Sequence, residues 1–306
     1  MTQRGWILFL ALSVIWGVPY LLIRIAVAEI DPLVVAFGRT TIGALLLLPV
    51  ALRANALAPA FRHWKPLLAF TLVEINGPWL LLGHAETRLT SSTAGLLIAI
   101  VPLIAAVILT RLGHDRFGAR RLLGLGLGFA GVVALVGLDI HLDDLPAVGA
   151  VVLTSIGYAI GPIIIDRKLG GVPPLGVVTA SLILASVLYA PFAPFLWPHE
   201  VSLAAGGSVV ALAVFCTATA FLLFFALIAE AGPGRATVIT YINPAVALLL
   251  GVIVLHEPLT AGMAIGFPLV ILGSILGTSK SAKASVASEP SDAIVRESPS
   301  GARSSR

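Results

Sequence analysis

The chain has 306 residues, of which 58% are hydrophobic and 11% are charged, and its mean hydropathy is +1.03. Soluble domains carry about 25% charged residues, so this composition excludes a soluble protein and leaves no room for a soluble catalytic domain. The net charge of +4 comes from loops and a tail that are expected at membrane surfaces, so it does not indicate nucleic-acid binding. The single cysteine, Cys216, excludes an internal disulfide.

Apolar runs of about 20 residues, long enough to cross a bilayer as helices, follow one another along the chain. Charged residues or Pro and Gly turns separate them. The pattern predicts ten membrane spans, at residues 5–28, 33–52, 65–84, 91–110, 120–138, 146–165, 175–196, 205–229, 235–255 and 261–279. We therefore expect an all-α integral membrane protein.

The basic residues alternate between the loops that join these spans. Sixteen of the nineteen Lys and Arg residues fall on one side, only Arg88 falls on the other, and Arg24 and Arg39 lie within spans. The loops of the second side carry the acidic residues Asp31, Asp139, Asp143, Asp144 and Glu200. Because Lys and Arg accumulate in cytoplasmic loops, we expect a multi-pass protein of a cell membrane, of the bacterial inner-membrane type, with both termini cytoplasmic.

A shift of 142 residues aligns the two halves of the chain. It superimposes Pro32 on Pro174, Pro49 on Pro191, Ala94 on Ala236, Pro102 on Pro244, Gly124 on Gly266 and Gly131 on Gly273. One offset that holds from the second span to the fifth indicates an internal duplication. It predicts two five-helix repeats, at residues 1–139 and 145–279. Residues 280–306 are rich in Ser and Ala and lack apolar periodicity, which predicts a disordered cytoplasmic tail.

The number of helices in each repeat has a topological consequence. Because five is odd, the second copy enters the membrane from the side opposite to the first. Inverted-topology repeats of this kind are typical of secondary transporters, which expose a site near the bilayer midplane to each side in turn. The duplication therefore predicts transport by alternating access.

Four stretches of the chain carry a family resemblance. They are "VIWGVPYLLIRIA" in span one, "DPLVVAFGRTTIGALLLLP" in span two, "TSSTAGLLIAIVPLIAAVIL" in span four, and "GPGRATVITYINPAVALLLGVIVLHEPLTAGMAIGFPLVILG" in spans nine and ten. In this order the chain resembles the EamA branch of the drug/metabolite transporter superfamily, over residues 5–279. The resemblance implies ten helices, cytoplasmic termini, a central cavity lined by both repeats, and movement of small metabolites, often export of amino acids or related compounds.

Individual positions match or depart from the family pattern. The positions that match recurrent family features are Trp16-Gly17, Arg39, Pro102, Asn243-Pro244 and Glu257. Where the second repeat has "HEPLT", the first has "HDRFG", with Asp115 in place of the usual Glu. Glu74 matches no feature of the family, so the resemblance implies no role for it.

The stretch "VEINGPW" at residues 73–79 places Glu74, Asn76 and a Gly-Pro pair inside the third span. Pro78 has no N–H to bond the carbonyl of Glu74, four residues earlier. Polar backbone at membrane depth is tolerated only where it is buried in protein or faces water. This turn is therefore predicted to line a cavity, together with Trp79.

Glu74 lies about 15 Å from the outer surface, near the midplane, where an isolated charge is costly. Two arrangements remain open. In the first, Glu74 pairs permanently with Arg39 and pins spans two and three together. In the second, Glu74 faces the cavity and binds a substrate amine or a coupling proton. We favour the second.

Polar residues of spans one and nine are further candidates. Trp16, Tyr20 and Arg24 recur every four residues and so share one helix face. Such a face either binds an organic anion or zwitterion or marks the membrane interface. The predicted cavity residues are Trp16, Tyr20, Arg39, Glu74, Asn76, Trp79, Tyr158, Tyr241 and Asn243, and the predicted hinges are Pro78, Pro102 and Pro244.

The remaining patterns bear on the class of function. Cys216 is alone, the His residues are scattered, and "HEP" is not the zinc-binding H-E-x-x-H, so we expect neither a membrane-embedded enzyme nor a metal site. No phosphate-binding loop for an ATP-driven pump and no channel filter occurs in the sequence, and a scaffold would not require an inverted duplication. We expect a secondary transporter that exports a small organic metabolite, surrounded by lipid, with no cofactor and with protons as a candidate coupling ion. An ungated facilitator or channel is the alternative.

Overall fold

The computed structural model of the chain describes residues 2–112, 119–231 and 239–278. Within these ranges the chain is almost entirely helical and contains no strand, which confirms the predicted all-α membrane fold. Several predictions fall outside the described residues: those for the "HDRFG" segment with Asp115, for residues 232–238 with Arg235, and for the tail at 280–306.

The first half of the chain contains the helices α1 (Gln3–Ile15), α2 (Val18–Val27), α3 (Pro32–Arg53), α4 (Leu57–Arg62), α5 (Trp64–Phe70), α6 (Gly77–Glu86), α7 (Ser91–Ile98), α8 (Val101–Arg111) and α9 (Ala119–Asp139). The second half contains α10 (Leu145–Ile164), α11 (Pro174–Tyr189), α12 (Leu203–Ala213), α13 (Ala220–Ala231), α14 (Ile239–Val254) and α15 (Ala261–Thr278). Three π turns are continuous with these helices: the first π turn (Thr71–Asn76) joins α5 to α6, the second (Ile165–Leu169) extends α10, and the third (Val214–Thr219) joins α12 to α13.

Seven helical segments of the described ranges are long and apolar enough to cross a membrane. Three shorter apolar helices, α11, α14 and α15, overlap the other predicted spans, and both α14 and α15 border residues outside the described ranges. The count of ten spans therefore stays a prediction. Helix α11 ends at Tyr189, short of the predicted end at residue 196, because Pro191 has no N–H with which to bond the carbonyl of Val187, four residues earlier.

The first and third π turns occupy equivalent places in the two halves. They begin at Thr71 and Val214, 143 residues apart, which is within one residue of the 142-residue shift. In the first π turn, the N–H of Gly77 bonds the carbonyl of Leu72, five residues earlier. A π turn accommodates one extra residue within a helix and often occurs at functional sites. Both π turns contribute to the site described below.

Helices α9 and α15, the last of each half, pack against each other through glycines. A Cβ at Gly124 would lie 2.7 Å from the carbonyl oxygen of Gly273, and a Cβ at Gly131 would lie 2.8 Å from that of Gly266. Only glycine permits helix backbones to approach so closely. The 142-residue shift exchanges these two contacts, so the interface repeats itself when the halves are exchanged.

Polar contacts join the loops on one face of the bundle, which we name the acidic face and define by residues 28–31, 87–90, 139–144, 190–202 and 255–260. Glu29 accepts hydrogen bonds from the Ser202 N–H at 2.9 Å and the Ser202 hydroxyl at 2.8 Å. The Ser202 N–H, and secondarily its hydroxyl, hold the pKa of Glu29 below its usual range. Arg88 lies 3.6 Å from Asp144. The loops that the charge pattern places on one side are thus neighbours.

Two more carboxylates of the acidic face bond the first residues of helices. Glu257 accepts from the N–H groups of Ser91 and Ser92 at 2.8 and 2.9 Å and from the Ser92 hydroxyl at 2.5 Å, at the start of α7. Asp139 accepts from the Thr260 hydroxyl and, at 3.1 Å, from the Gly262 N–H, at the start of α15. Carboxylates are favoured at helix N-termini, where free N–H groups and the helix dipole attract them. Both contacts tie the two halves together.

Candidate substrate site

Helix α3 carries Arg39 into the protein interior. The helix starts at a defined point because Pro32 stands at its first position and the Asp31 carboxylate accepts from the Leu33 N–H at 2.8 Å. Arg39 follows two turns later, on the face that also buries Val35, and its side chain is only 7% exposed. A charged residue is therefore held inside the membrane-spanning part of the bundle.

Two contacts fix the Arg39 guanidinium. Its central carbon lies 3.6 Å from the ring centroid of Trp79, a cation–π distance. Its Nε donates to the Thr217 hydroxyl at 2.9 Å, and that hydroxyl donates to the Leu212 carbonyl at 2.9 Å. Thr217 approaches closely because Gly43 lies opposite: a Cβ there would be 3.1 Å from Thr217 Cγ2. Arg39 thus links the helix that follows the first π turn to the third π turn.

The two terminal nitrogens of Arg39 make no hydrogen bond or ion pair with any described residue. The ionisable side chains within electrostatic range are Tyr158, Cys216, Tyr20 and Tyr189. None of them is a carboxylate, although Glu86 interacts with Arg39 at longer range. The outer edge of the guanidinium fork therefore has no counter-ion in contact with it among the described residues.

Asn76 lies at the end of the first π turn and is 8% exposed. Its carbonyl accepts from the Tyr189 hydroxyl at 2.6 Å, and its side-chain nitrogen donates to the Ala185 carbonyl at 3.5 Å. The side-chain oxygen Oδ1 is buried and has no partner among the described residues. Tyr189 therefore satisfies a carbonyl of the first π turn, whereas the amide oxygen of Asn76 is left without a partner in the described chain.

Glu74 packs against α10 at Gly161. A Cβ at Gly161 would come within 2.7 Å of Glu74 Cδ, so only glycine leaves room for the carboxyl group. Glu74 Oε2 is buried without a hydrogen-bond partner in the described chain. The Glu74–Arg39 salt bridge that the sequence left open is not formed, since the ion pair within 4.0 Å found among the described residues is Arg88–Asp144. The first π turn instead presents Glu74 towards α10, and α6 presents Trp79 towards Arg39.

The 142-residue shift relates two aromatic contacts. Tyr158 lies beside Trp79 in one buried cluster. Their shifted positions are Trp16 and Phe221, which also meet, with ring centroids 6.2 Å apart at 75°. The contact between spans three and six is therefore matched by one between spans one and eight. The position equivalent to Arg39 is Ser181, whose buried hydroxyl has no partner in the described chain.

Of the other predicted cavity residues, Tyr20 lies within electrostatic range of Arg39, whereas the contacts of the remaining three are with other residues. Trp16 stands at the break between α1 and α2 and packs on Phe224, so it does not continue the face of Tyr20 and Arg24 as one straight helix would. Tyr241 donates to the Ser274 carbonyl at 3.4 Å. In the amide orientation that satisfies its hydrogen bonds, Asn243 donates to the Ser13 carbonyl at 3.1 Å and to that of Ile239 at 3.0 Å. These residues join α14 to its neighbouring helices.

The predicted hinges differ from one another. The fourth span is interrupted between α7 and α8, with Pro102 in the first turn of α8. Its equivalent, Pro244, lies inside the continuous helix α14. Pro78 lies in the first turn of α6, directly after the first π turn, so the helix is locally widened at that proline and not broken. The hinge roles stay predictions.

A cavity of about 310 Å³ lies between spans one and eight and is lined by apolar residues, with Cys216 on its wall. The other lining residues are Ile15, Val18, Leu22, Ala211 and Phe215. None of these belongs to the predicted site.

Sequence reasoning missed four residues that define the site. Thr217 orients Arg39, Tyr189 bonds the first π turn, Gly161 makes room for Glu74, and Glu86 is a fully buried carboxyl at the end of α6. Glu86 escaped because the predicted third span ended at residue 84, whereas the helix continues to Glu86. For Thr217, Tyr189 and Gly161 no sequence pattern signals the contact.

These features define a class: a multi-pass, all-α membrane protein with a buried polar site between helices of both halves. The model of the EamA-like transporter family matches the chain twice, over residues 3–137 and 145–278. The chain therefore belongs to the EamA-like transporter family and is a membrane transporter.

Relatives and a solved structure agree with this family. The uncharacterized transporter YvbV of Bacillus subtilis is 28% identical over 91% of this chain and 92% of its own length. The uncharacterized inner membrane transporter YedA of Escherichia coli K12 is 29% identical over 79% of both chains. A solved crystal structure has the same fold, with a TM-score of 0.65 and 19% identity over 91% of this chain and 97% of that chain.

Proposed function

We propose that the chain exports a small organic metabolite that carries a carboxylate, an amino acid or a related compound, by alternating access. The observation that supports this proposal is the state of Arg39: it is buried, stacked on Trp79 and bonded through Nε to Thr217, and neither terminal nitrogen has a bonded partner in the described chain.

The chemistry of the guanidinium selects the ligand. A buried charge without a counter-ion is costly, by several kcal/mol. Arginine presents a rigid planar fork that binds a carboxylate through two parallel hydrogen bonds. Because Nε is already bonded to Thr217, the two terminal nitrogens remain for this contact. A carboxylate ligand would therefore supply the missing counter-charge.

Glu74 and Asn76 extend the site towards a second ligand group. Glu74 Oε2 and Asn76 Oδ1 are buried acceptors without partners among the described residues. A substrate amine offers donors to both, and Tyr158 lies within electrostatic range of both Glu74 and Arg39. This arrangement favours a zwitterion, with its carboxylate at Arg39 and its amine at Glu74.

Alternating access is supported by the duplication and by the contacts of the acidic face. The first and third π turns lie at equivalent places in the two halves, and Arg39 contacts elements that follow or contain them. Glu257 and Asp139 join the halves at the acidic face, which we take to be external. Opening of these contacts would release the substrate outwards.

A counterflow screen in liposomes tests the substrate class. The purified full chain is reconstituted with amino acids, sugars and nucleosides, and each active compound is compared with its methyl ester and its decarboxylated amine. We expect exchange of carboxylates and loss of exchange with both analogues. Exchange of a sugar or nucleoside in place of every carboxylate would contradict the proposal. A rate that rises linearly with concentration, without counterflow, would indicate an ungated facilitator instead.

A further inference from the structure

Glu86, the last residue of α6, carries a carboxyl group that is buried and has no bonding partner among the residues that the structure describes. The residue is 0% exposed, and neither Oε1 nor Oε2 has a hydrogen-bond partner among the described residues. Arg24 reaches the same residue, but its Nη1 donates to the main-chain carbonyl of Glu86 and makes no ion pair with the carboxylate. The side chain therefore lies in the interior with its polar atoms unsatisfied.

The charged and titratable groups around Glu86 come from four elements. They are Tyr20 and Arg24 on α2, Arg39 on α3, Tyr158 on α10, and Glu257 after α14. Glu257 accepts three hydrogen bonds at the start of α7, and a carboxylate there disfavours a second negative charge nearby, whereas Arg24 favours one. An ionised carboxylate without hydrogen bonds in the interior costs several kcal/mol, and a neutral carboxyl costs less.

Glu86 lies seven residues after Trp79 on α6, about 10 Å along the helix, and Trp79 holds the Arg39 guanidinium, so the charge of Glu86 acts on Arg39 across the buried interior. An ionised Glu86 would partly neutralise the guanidinium and oppose a second anion. A protonated Glu86 leaves the full charge of Arg39 for the ligand carboxylate. Because linkage is reciprocal, a proton that favours the substrate is also bound more tightly when the substrate is present.

We propose that Glu86 is a proton-binding site of the transporter and that one proton binds to it together with the substrate carboxylate at Arg39. The proton passes from a hydronium ion of the aqueous phase to an Oε of Glu86: one O–H bond of the hydronium breaks, one O–H bond of the carboxyl forms, and water is left. This inference rests on the proposed function, since it assigns the ion that accompanies the substrate.

Reconstituted protein and a carboxylate found active in the counterflow screen provide the first test. In the wild type, the KM should rise by up to about tenfold per pH unit above the midpoint of the site, as one linked proton requires. Glu86→Gln, which retains the neutral shape, should give a KM that does not change with pH. The control Glu200→Gln alters an exposed acid and should keep the wild-type slope. A Glu86→Gln protein with the wild-type slope would overturn the proposal.

Two measurements complete the test. At a pH above the midpoint of the substrate-free protein, substrate added to the wild type in weakly buffered detergent should take up as much as about one proton per bound molecule, a readout that needs no variant; no uptake at any such pH would overturn the proposal. Infrared spectra at neutral pH need no substrate: the band of a protonated carboxyl should appear in the wild type and be lost in Glu86→Gln. A wild type that exchanges no carboxylate defeats the proposed function, whereas exchange with a pH-independent KM, or a missing band, defeats the role of Glu86 alone.

Discussion

The aromatic contact between spans three and six and its counterpart between spans one and eight share a geometry but differ in chemistry. Trp79 and Tyr158 form the first contact, and Arg39 stacks on Trp79. Phe221 and Trp16 form the second contact. Among the described residues no cation stacks on either ring, and the residue equivalent to Arg39 is Ser181. Glu74 is likewise replaced by Cys216 in the second half.

This difference separates what duplication preserves from what it does not. The paired contacts of helices are retained in both halves, because they determine how the helices pack. The charges of Arg39 and Glu74 have no charged equivalent at Ser181 and Cys216, a difference that suits the asymmetric ligand proposed above. The predictions that follow test whether the first half alone supplies the binding chemistry.

The largest expected effect is that of Arg39→Gln. Removing one partner of a buried, hydrogen-bonded charge pair costs about 2–5 kcal/mol, so carboxylate exchange should fall at least about 30-fold. Ser181→Ala, at the equivalent position, should leave the exchange rate within about twofold of the wild type, as expected for a change of about 0.4 kcal/mol or less. The measurement is counterflow at a substrate concentration below the KM. Equal losses in the two variants would show that both halves contribute binding chemistry.

A smaller and more selective effect is expected from Gly161→Ala. The added Cβ would displace the Glu74 carboxyl, which weakens a charged hydrogen bond to the substrate amine by about 1.5–3 kcal/mol. The KM of amine-bearing substrates should therefore rise about tenfold or more, and that of simple carboxylates should change little. Gly149→Ala on the same helix is the control, since nothing lies within 4 Å of its Cβ position. An equal rise for both substrate classes would place Glu74 outside the amine site.

Thr217→Val tests the positioning of Arg39. The variant keeps the shape of the side chain but removes the acceptor of the Nε hydrogen bond, which is worth about 1 kcal/mol, so the KM of carboxylates should rise about fivefold. Thr110→Val provides the control, because the Thr110 hydroxyl bonds the Ala106 carbonyl in its own helix. Should the two variants behave alike, Thr217 would have no special role in holding the guanidinium.

The smallest effect belongs to the acidic face, where Glu29 of the first half bonds Ser202 of the second. The Ser202 N–H, followed by its hydroxyl, lowers the pKa of Glu29. Its stabilising contribution is therefore present above the pKa of the unfolded chain and is lost as the pH falls through the lower folded value. The Tm of Glu29→Gln should lie slightly below that of the wild type at neutral pH, and the two should converge in acid. A constant difference at all pH values would contradict this linkage.

Sequence patterns predicted the helices better than the site. Hydropathy marks each span because lipid demands continuous apolar runs, and Arg39 is conspicuous because a charge inside a span is rare. The break between α1 and α2 at Trp16-Gly17 was not predicted. Because of this break, Trp16 packs against α13 and does not share a helix face with Tyr20. The stop of α11 at Tyr189 was also missed, although Pro191 accounts for it.

The partners of the charges could not be predicted because they depend on tertiary packing. Nothing in the sequence around Thr217 shows that its hydroxyl faces Arg39, 178 residues away. The choice between a Glu74–Arg39 pair and separate roles likewise depends on helix rotation, which the first π turn changes. Glu86 was read as a loop residue since only the folded chain shows that it is fully buried.

The first π turn also determines the rotation of α6 about its axis relative to α5. A π turn holds one residue more than the α-helix it interrupts, and each residue of an α-helix advances the helix by about 100° around its axis. If the same residues were wound as a regular α-helix without the π turn, α6 would be rotated by about that angle relative to α5. Trp79 would then turn away from Arg39 with every side chain unchanged in identity. The azimuth of α6, and with it the pairing of cation and ring, is therefore encoded by one inserted residue.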